Sequence, residues 1–271
     1  MYNNELMKHA VILGAQSGLA QQAVKQLQGN GYQVYACDIQ YQTFEKKPGI
    51  IRIPIDVTDC LSLEKARKTI EHETDSLDLF TSFAGQVTIG SLIELPARTM
   101  QKNLDLNVNS LFLSIRNFFP LLEKAQGRII IISSEYGKIG GIPFHGYYGA
   151  AKHAVEIYAD SLRREISKTG VSVTKIRPGA FQTPMQSGIQ AQFDNLCINT
   201  QRYRKPLGKM KHLMQMELTK AAAPSSFGKA YMKAVLSKRP PKVICVHNSL
   251  KMKLLNVLPS SVQDWIFGLF F

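Results

Sequence analysis

Short apolar runs and longer helical patterns alternate along most of the chain. The apolar runs are partly β-branched, which is typical of strands buried in a parallel sheet. They occupy residues 9–13, 33–37, 50–55, 77–83, 128–132, 171–176 and 242–246. Helical periodicity separates them and includes two long stretches, residues 100–124 and 148–168. This alternation predicts one α/β domain over residues 1–271, with about seven parallel strands and helices on both faces of the sheet.

The first predicted strand leads directly into a glycine-rich turn. Gly14 and Gly18 stand on either side of Gln16 and Ser17, and Leu19 begins a helical pattern. Glycine lets backbone N–H groups approach a pyrophosphate, and the N-terminus of the next helix favours its negative charge. The glycine spacing alone also suits an ordinary tight turn. Strand, glycine turn and helix in this order predict a dinucleotide site.

The second predicted strand ends at Asp38, twenty residues after Gly18. A carboxylate at this place accepts hydrogen bonds from the hydroxyls of an adenosine ribose and repels a 2′-phosphate. Asp38 would also suit a turn that simply ends the strand. Ile39 and Gln40 follow it in place of an arginine. We therefore expect NAD as the cofactor, with NADP the less favoured alternative.

A tyrosine and a lysine four residues apart, Tyr148 and Lys152, carry the candidate chemistry. Positions i and i+4 of a helix share one face, so the phenol and the ammonium would meet. A phenol has a pKa of about 10, and a nearby cation lowers it toward the range of a useful base. Ser134, fourteen residues before the tyrosine, supplies a hydroxyl for the substrate oxygen. The pair alone also fits a solvated helix face, but the glycine turn upstream favours catalysis.

Together these motifs resemble the short-chain dehydrogenase/reductase family, and the resemblance covers nearly the whole chain. It implies a Rossmann-type, doubly wound domain that binds a nicotinamide dinucleotide. The family's catalytic serine, tyrosine and lysine fall on Ser134, Tyr148 and Lys152. Its catalytic asparagine falls on Asn107, because that residue precedes a valine as the family pattern requires, whereas Asn109 does not.

The family's other cofactor-contacting positions follow the ends of predicted strands. They are Asp56, Val57, Ala84, Gly85, Pro178, Gly179 and Thr183. The first two would contact the adenine, and the last three the nicotinamide ribose and carboxamide. The family's Asn-Asn-Ala-Gly segment is Ser-Phe-Ala-Gly here, from Ser82 to Gly85. Loss of both asparagine side chains predicts a modest cofactor affinity.

Residues 184–224 match no catalytic motif, and we expect them to cover the substrate. The segment is apolar and contains Met185, Met210, Met214 and Met216. Methionine adapts to irregular apolar shapes, so the segment favours a bulky hydrophobic substrate, although single residues in it also suit an ordinary core. Phe144 and His145, just before the tyrosine, and Met185 are expected to line the substrate mouth.

Residues 248–271 form a predicted amphipathic helical extension. Its apolar stripe consists of Val262, Trp265, Ile266 and Leu269. Such a stripe suits docking on its own domain or on a partner subunit. The alternative is peripheral contact with a membrane, with Lys251 and Lys253 at the headgroups and the aromatic rings beneath.

Positive charge is concentrated in the last third of the chain, which has a net charge of +13 overall. Lys and Arg number 20 against 17 Asp and Glu up to Thr183, but 13 against 3 from Pro184 onward. This excess fits a solvated surface, an anionic lipid, an acidic carrier protein or a negatively charged substrate. Nucleic acid is disfavoured because the chain contains no recognition module.

The four cysteines show no metal-binding spacing, so we expect no metal site. Cys37 and Cys245 lie in apolar strand patterns and are predicted to be buried thiols, which suits a reducing cytoplasm. We expect no signal peptide and no membrane-spanning helix. The chain is therefore expected to be cytoplasmic, with membrane association through the C-terminus as the open alternative.

Within the resembling family, residues 160–165 and the tail around Asp264 and Trp265 are similar to the hydroxysteroid and retinol dehydrogenase branch. The expected function is NAD(H)-dependent hydride transfer to or from a hydrophobic secondary or allylic alcohol. One alternative is a 3-oxoacyl-thioester reductase that acts on an acidic carrier protein. Another is a cofactor-sensing protein without turnover. Helices 100–124 and 148–168 often form oligomer contacts in this family, which implies a homodimer or homotetramer.

Overall fold

A single mixed sheet with helices on both faces forms the centre of the molecule. The computed structural model describes residues 7–271, with residues 212–218 described by their backbone alone. The sheet contains β1 (Lys8–Leu13), β2 (Tyr32–Asp38), β3 (Glu45–Lys47), β4 (Ile50–Pro54), β5 (Leu79–Ser82), β6 (Arg128–Ile132), β7 (Ser172–Pro178) and β8 (Val243–Val246). Its order is β3-β4-β2-β1-β5-β6-β7-β8. All pairs are parallel except β3 with β4.

The seven strands expected from the apolar pattern are all present, and the doubly wound α/β fold is confirmed. The eighth strand, β3, is a polar three-residue edge strand that pairs antiparallel with β4. Cys245 is exposed, so the prediction of a buried thiol there was wrong. Its strand β8 lies at the edge of the sheet and has a neighbour on one side only, whereas Cys37 lies on β2 and is fully buried.

Helices cover the sheet in two layers. The helices of the described chain are α1 (Gly18–Gly29), α2 (Cys60–Glu71), α3 (Ala97–Leu104), α4 (Ser110–Lys124), α5 (Gly146–Glu165), α6 (Pro184–Asn199), α7 (Arg204–Thr219), α8 (Ser225–Leu236), α9 (Leu250–Val257) and α10 (Ser260–Gly268). Leu27 of α1 and Tyr231 of α8 pack on one face of the sheet. Leu63 of α2, Phe118 of α4 and Ala151 of α5 pack on the other.

One wide π-helical turn, Asp105–Asn109, joins α3 to α4 without a break. The stretch expected to be one regular helix therefore contains an irregularity. π-helical turns occur mostly as single turns within α-helices, frequently at functional sites. This turn contains Asn107, which is buried, whereas Asn109 is exposed and donates to Asp105.

The order of the strands determines where a ligand can enter. From β1 the chain moves outward on one side to β2 and β4, and β5 then returns to the other side of β1. The register places Leu13 of β1 beside Cys37 of β2 and Ser82 of β5. The residues that follow these three strands therefore lie along one edge of the sheet, at the topological switch point where open α/β sheets bind ligands.

Candidate active site

The glycine turn after β1 lies at this edge. Gly14 has a left-handed backbone with φ of 69°, which glycine adopts without strain. Its N–H donates to the carbonyl oxygen of Cys37 at 2.9 Å. Ser17 caps α1, since its hydroxyl accepts from the N–H of Ala20 at 3.3 Å. The turn thus presents the N-terminus of α1 toward the switch point.

Both glycines of the turn allow close approaches that a side chain would block. A Cβ atom on Gly14 would lie 2.7 Å from the backbone nitrogen of Ala84. A Cβ on Gly18 would lie 2.8 Å from Cγ2 of Thr183, the residue just before α6. The structure therefore brings together Gly14, Gly18, Ala84 and Thr183, four of the predicted cofactor residues. This cradle at a helix N-terminus fits the pyrophosphate of a dinucleotide.

Asp38 is buried at the end of β2. Its two carboxylate oxygens accept from the N–H groups of Gln16 and Gln40, each at 2.9 Å. The carboxylate is thereby fixed against the glycine turn. Asp56 lies after β4 and accepts from the N–H and hydroxyl of Thr58 at 2.8 and 2.6 Å, and Val57 beside it is buried.

Tyr148 and Lys152 are both buried on α5, where the sequence predicts them to share a face. Ser134 follows β6 and lies beside the Tyr148 hydroxyl, and its own hydroxyl accepts from the N–H of Tyr136 at 3.2 Å. The Lys152 ammonium donates to the carbonyl oxygen of Ile132 at 3.2 Å and lies 5.8 Å from the centre of the Tyr148 ring. The predicted serine, tyrosine and lysine are thus in one place.

Burial dominates the titration of this pair. It raises the pKa of Tyr148 above its ordinary value, and the hydrogen bond from Ser134 opposes that rise. Burial lowers the pKa of Lys152 to about 8, and the negative charge of Glu156 opposes that fall. The nearby Lys152 predicts a lowered pKa for Tyr148. That prediction is wrong for this structure, because burial disfavours the phenolate more than the hydrogen bond from Ser134 favours it.

Asn107 lies against Gly85 and close to Lys152. A Cβ atom on Gly85 would lie 2.7 Å from Oδ1 of Asn107 and 3.8 Å from Nζ of Lys152. The side-chain oxygen of Asn107 accepts from the N–H of Gln86 at 3.2 Å. Its amide nitrogen donates to the carbonyls of Gln86 at 3.0 Å and Asn103 at 3.1 Å. Both amide hydrogens are used, so only a further lone pair on the oxygen remains for a water.

The segment after β7 lines the same edge of the sheet. Pro178 ends the strand, and the N–H of Gly179 donates to the carbonyl of Val246 at 2.9 Å. A Cβ on Gly179 would lie 2.1 Å from the carbonyl oxygen of His247, so glycine is required here. Thr183 follows four residues later against Gly18. Residues 178–183 thus connect the Tyr148 side of the edge to the glycine turn.

Apolar side chains surround Tyr148 on the substrate side. They form a cluster of Val87, Ile89, Phe144, Tyr148, Phe193, Leu196 and Leu207. His145 stacks on Tyr136 at 5.1 Å, and burial lowers its pKa, which favours the neutral imidazole. Met185 is 42 % exposed and lies outside the cluster. Met214 and Met216 lie outside the described side chains.

Two contacts at this site were missed by the sequence argument. The Glu135 carboxylate accepts from the N–H of Ser249 at 2.8 Å. The ring of Phe271 stacks on Phe144 at 5.9 Å. We call residues 248–271 the C-terminal arm. The arm therefore reaches both the residue after Ser134 and the apolar cluster, although no local sequence signal links these segments.

The fold, the glycine cradle and the buried Ser134–Tyr148–Lys152 group define an oxidoreductase that acts on CH–OH groups with a nicotinamide dinucleotide, NAD or NADP. The family model described as short chain dehydrogenase matches residues 8–194, more than half of the chain. The chain belongs to the short-chain dehydrogenase family. It resembles the hydroxysteroid and retinol dehydrogenase branch of that family.

Two relatives illustrate the similarity. A 3-ketodihydrosphingosine reductase of Bacteroides thetaiotaomicron is 28 % identical over 96 % of this chain and 97 % of the relative. Retinol dehydrogenase 16 of Mus musculus is 30 % identical over 72 % of this chain and 62 % of the relative. The chain is thus similar to the first over nearly its full length and to the second over a shorter part.

Two solved structures share the fold at low identity. A short chain dehydrogenase from Burkholderia cenocepacia in complex with NADP superposes with a TM-score of 0.73, at 16 % identity over 96 % of this chain and 97 % of its own. A short chain dehydrogenase/reductase from Burkholderia phymatum in complex with NAD also gives 0.73, at 19 % identity and 89 % of both chains. The two likenesses show the same fold with either cofactor.

Replacing Gly14 by alanine is expected to weaken NADH binding at least about tenfold. The new Cβ would clash with backbone atoms of Phe83 and Ala84, and the residue would keep an unfavourable left-handed φ. Titration of NADH fluorescence measures the affinity. Gly188→Ala is the matched control, because a Cβ there has nothing within 4 Å. Equal affinities for the two variants would contradict the assignment of the turn.

Proposed function

We propose that this protein is an NAD(H)-dependent oxidoreductase for a hydrophobic secondary or allylic alcohol and its carbonyl, with a steroid-, retinoid- or lipid-like substrate. One observation carries the proposal. Tyr148, buried in an apolar cluster, has Ser134 beside its hydroxyl and the buried Lys152 one helical turn away. We take residues 1–271 as one domain, with 184–224 as the substrate cover.

Different residues at this edge of the sheet bind different parts of the cofactor. Gly14, Ser17 and Gly18 hold the pyrophosphate with their backbone and the N-terminus of α1, beside Gln16 and Leu19. Asp56 and Val57 border the adenine half. Ala84 lies against Gly14 of the pyrophosphate turn, and Gly85 lies beside Lys152. Pro178, Gly179 and Thr183 border the nicotinamide half. The bound nicotinamide supplies the hydride acceptor or donor at the substrate carbon.

Tyr148 exchanges a proton with the substrate oxygen. In alcohol oxidation its phenolate takes the hydroxyl proton while Ser134 holds the substrate oxygen. Lys152 stabilises the phenolate and binds the nicotinamide ribose, and Asn107 holds a water that connects Lys152 to solvent. Because burial raises the pKa of Tyr148, the neutral phenol predominates at neutral pH. The neutral phenol is the proton donor for carbonyl reduction, so reduction is favoured at neutral pH and oxidation as the pH rises.

The apolar cluster supports the substrate class. Phe144, Phe193, Leu196 and Leu207 are buried beside Tyr148, so the proposed proton-transfer group adjoins a hydrocarbon environment that suits an apolar substrate. Two relatives, a 3-ketodihydrosphingosine reductase and a retinol dehydrogenase, are named for molecules of this kind. His145, beside Phe144, serves to orient the substrate rather than to exchange a proton.

The carboxylate of Asp38 supports NAD over NADP. It is buried and fixed by Gln16 and Gln40, and each oxygen keeps a lone pair for a ribose hydroxyl. A 2′-phosphate beside it would bring two negative charges together in a poorly solvated place. NAD is therefore the cofactor that this edge of the sheet suits.

Replacing Tyr148 by phenylalanine is expected to reduce turnover at least about a hundredfold and to leave NADH binding nearly intact, because only the proton-transfer group is lost. NADH appearance from NAD is measured with a panel of steroid, retinoid and long-chain secondary alcohols. Tyr147→Phe is the control, since the hydroxyl of Tyr147 contacts only the carbonyl of Leu92 in the described structure, at 3.3 Å. Turnover of Tyr148→Phe close to that of Tyr147→Phe would refute the role of Tyr148.

Replacing Asp38 by serine is expected to narrow the preference for NADH over NADPH, because the repulsion of a 2′-phosphate is removed. Dissociation constants for both cofactors, measured on the same preparation, give the ratio. Asp59→Ser removes the same charge from the N-cap of α2 and should leave the ratio unchanged. An unaltered ratio in Asp38→Ser would show that this carboxylate does not select the cofactor.

The C-terminal arm supports a peripheral membrane contact. Every residue of α9 and α10 is at least partly exposed, and Trp265 is 67 % exposed. Lys251 and Lys253 are exposed on the same arm. The exposure of Trp265 and Leu269 is unfavourable to docking of the whole stripe on its own domain, and docking on a partner subunit is the alternative. An exposed apolar stripe with nearby cations suits an anionic bilayer from which an apolar substrate enters. Within the described residues, none of the helices is long and apolar enough to span a bilayer.

The double variant Trp265→Ser/Leu269→Ser is expected to pellet less with anionic phosphatidylglycerol vesicles than the parent protein. The reason is that both side chains lie exposed on the arm. Leu61→Ser, an exposed leucine on α2, is the control. Equal recovery of all three proteins in the pellet would contradict membrane contact and favour a second subunit as the partner of the arm.

The same proposal includes a cytoplasmic homo-oligomer. Phe112 of α4 and Tyr158 of α5 stack at 4.0 Å, and the partly exposed Phe119 and Leu162 pack beside them. This apolar surface supports a homodimer or homotetramer through α4 and α5. All four cysteines are free thiols, which suits the reducing cytoplasm.

A carrier-linked 3-oxoacyl-thioester reductase is the second candidate. It is favoured by the 13 Lys and Arg residues that follow Thr183, of which Arg202, Arg204, Lys205, Lys209 and Lys211 lie in or beside the cover helix α7. No turnover across the alcohol panel, combined with a rise in melting temperature on adding NADH, would favour this reductase or a sensor without turnover.

A further inference from the structure

A buried cluster of charges lies behind the candidate catalytic group. Glu156 of α5 is only 5 % exposed. Its carboxylate accepts two hydrogen bonds from Arg177, at 2.8 and 2.7 Å. The ammonium of Lys175 lies 2.8 Å from the same carboxylate. Both cations belong to β7, so the cluster connects the catalytic helix to the sheet.

The cluster continues toward the surface through a second carboxylate. Lys175 also contacts Asp160 at 2.8 Å, and Arg163 donates to Asp160 at 3.0 Å. Replacing a buried ion cluster by apolar residues is often neutral or stabilising, so stability alone does not account for its presence. Its position in the fold is more informative.

Glu156 lies one helical turn after Lys152 and two turns after Tyr148, on the same face of α5. A Cβ on Gly137 would lie 2.7 Å from Ser133 Oγ, 2.9 Å from Glu156 Cγ and 3.0 Å from the Lys152 carbonyl oxygen. The short helical turn that follows Ser134 therefore rests directly on this stretch of α5. The cluster is thus packed against the segment that holds Ser134.

The surroundings of Lys152 contain few charged groups. On its own helix it faces Tyr148 and Glu156, and the attraction of Glu156 is the one that opposes the loss of its proton. The end of β6 contributes the carbonyl of Ile132, and the π-helical turn contributes the neutral Asn107. Ser134 and Glu135, after β6, act on the neighbouring Tyr148. From β7, Lys175 and Arg177 face Glu156.

We propose that Glu156 is a positioning residue that keeps the Lys152 amine protonated inside the buried site, with Lys175 and Arg177 holding its carboxylate in place. This inference rests on the proposed function only because that function assigns a role to Lys152. A protonated Lys152 is what stabilises the phenolate of Tyr148. The carboxylate of Glu156 acts through Lys152 and touches neither substrate nor cofactor.

The first experiment measures the protonation of Lys152 in the enzyme without added cofactor or substrate. Competitive acetylation with acetic anhydride over a pH series, read by mass spectrometry, gives the titration midpoint of this amine. In Glu156→Gln the midpoint is expected to fall by about one pH unit or more, because the negative charge one helical turn after Lys152 has been removed. Glu156→Asp keeps the charge and should restore the midpoint.

Lys175→Met serves as the structural control. It breaks the same cluster but leaves the carboxylate of Glu156, so the Lys152 midpoint should not fall. The double variant Glu156→Gln/Lys175→Met removes one charge of each sign and provides a folded comparison if the single glutamine variant does not fold. Its midpoint is expected below that of Lys175→Met. The proposal would be overturned if the Lys152 midpoint fell equally in Glu156→Gln and Lys175→Met. It would also be overturned if the midpoint fell neither in Glu156→Gln nor in the double variant.

The second experiment uses turnover. The alkaline limb of the pH profile of kcat, where the Lys152 proton is lost, should move to lower pH in Glu156→Gln by the same amount as the labelling midpoint. An unchanged limb in an active Glu156→Gln enzyme would overturn the proposal. If none of the tested alcohols is a substrate, the labelling experiment still measures the Lys152 midpoint. Failure of the proposed function and failure of this inference are therefore distinguishable.

Discussion

The burial of Tyr148 and Lys152 on one face of α5 is the constraint on which the rest of the site depends. A phenol and an amine removed from water each resist ionisation, so the fold must supply the charge and hydrogen bonds that water no longer gives. Ser134 lies beside the phenol and favours its ionised form, the carbonyl of Ile132 accepts from the ammonium, and Glu156 provides the opposing charge. The carboxyl ends of β6 and β7 place these groups, and the same edge of the sheet forms the glycine cradle.

Much of this arrangement follows from the sequence, because strand ends in a parallel sheet share an edge. Apolar runs located all seven parallel strands, and the residues after them include Gly14, Asp38, Ala84 and Gly179. β3 escaped prediction because Glu45, Lys46 and Lys47 carry no apolar pattern, and its pairing with β4 is accompanied by the Glu45–Arg52 ion pair. Cys245 was misjudged because strand composition does not distinguish an edge strand from a central one.

Long-range contacts and pKa shifts could not be predicted from the sequence. The Glu135–Ser249 hydrogen bond joins residues 114 apart in the chain, and no local pattern marks either partner. The direction of the Tyr148 pKa depends on how deeply the ring is buried, which only the packed structure shows. No sequence pattern marks Glu156, because the two cations that contact it come from β7.

The π-helical turn at Asp105–Asn109 affects how the helix before β6 must be interpreted. A π turn adds about one residue to a helical turn, which rotates everything upstream by about 100° relative to everything downstream. The upstream half can therefore present Asn103 to Thr88 while the downstream half presents Phe118 to Phe80 in the core. A helical wheel drawn through the whole stretch mixes two phases. Any comparison of this helix between relatives should therefore align the segments before and after Asn107 separately.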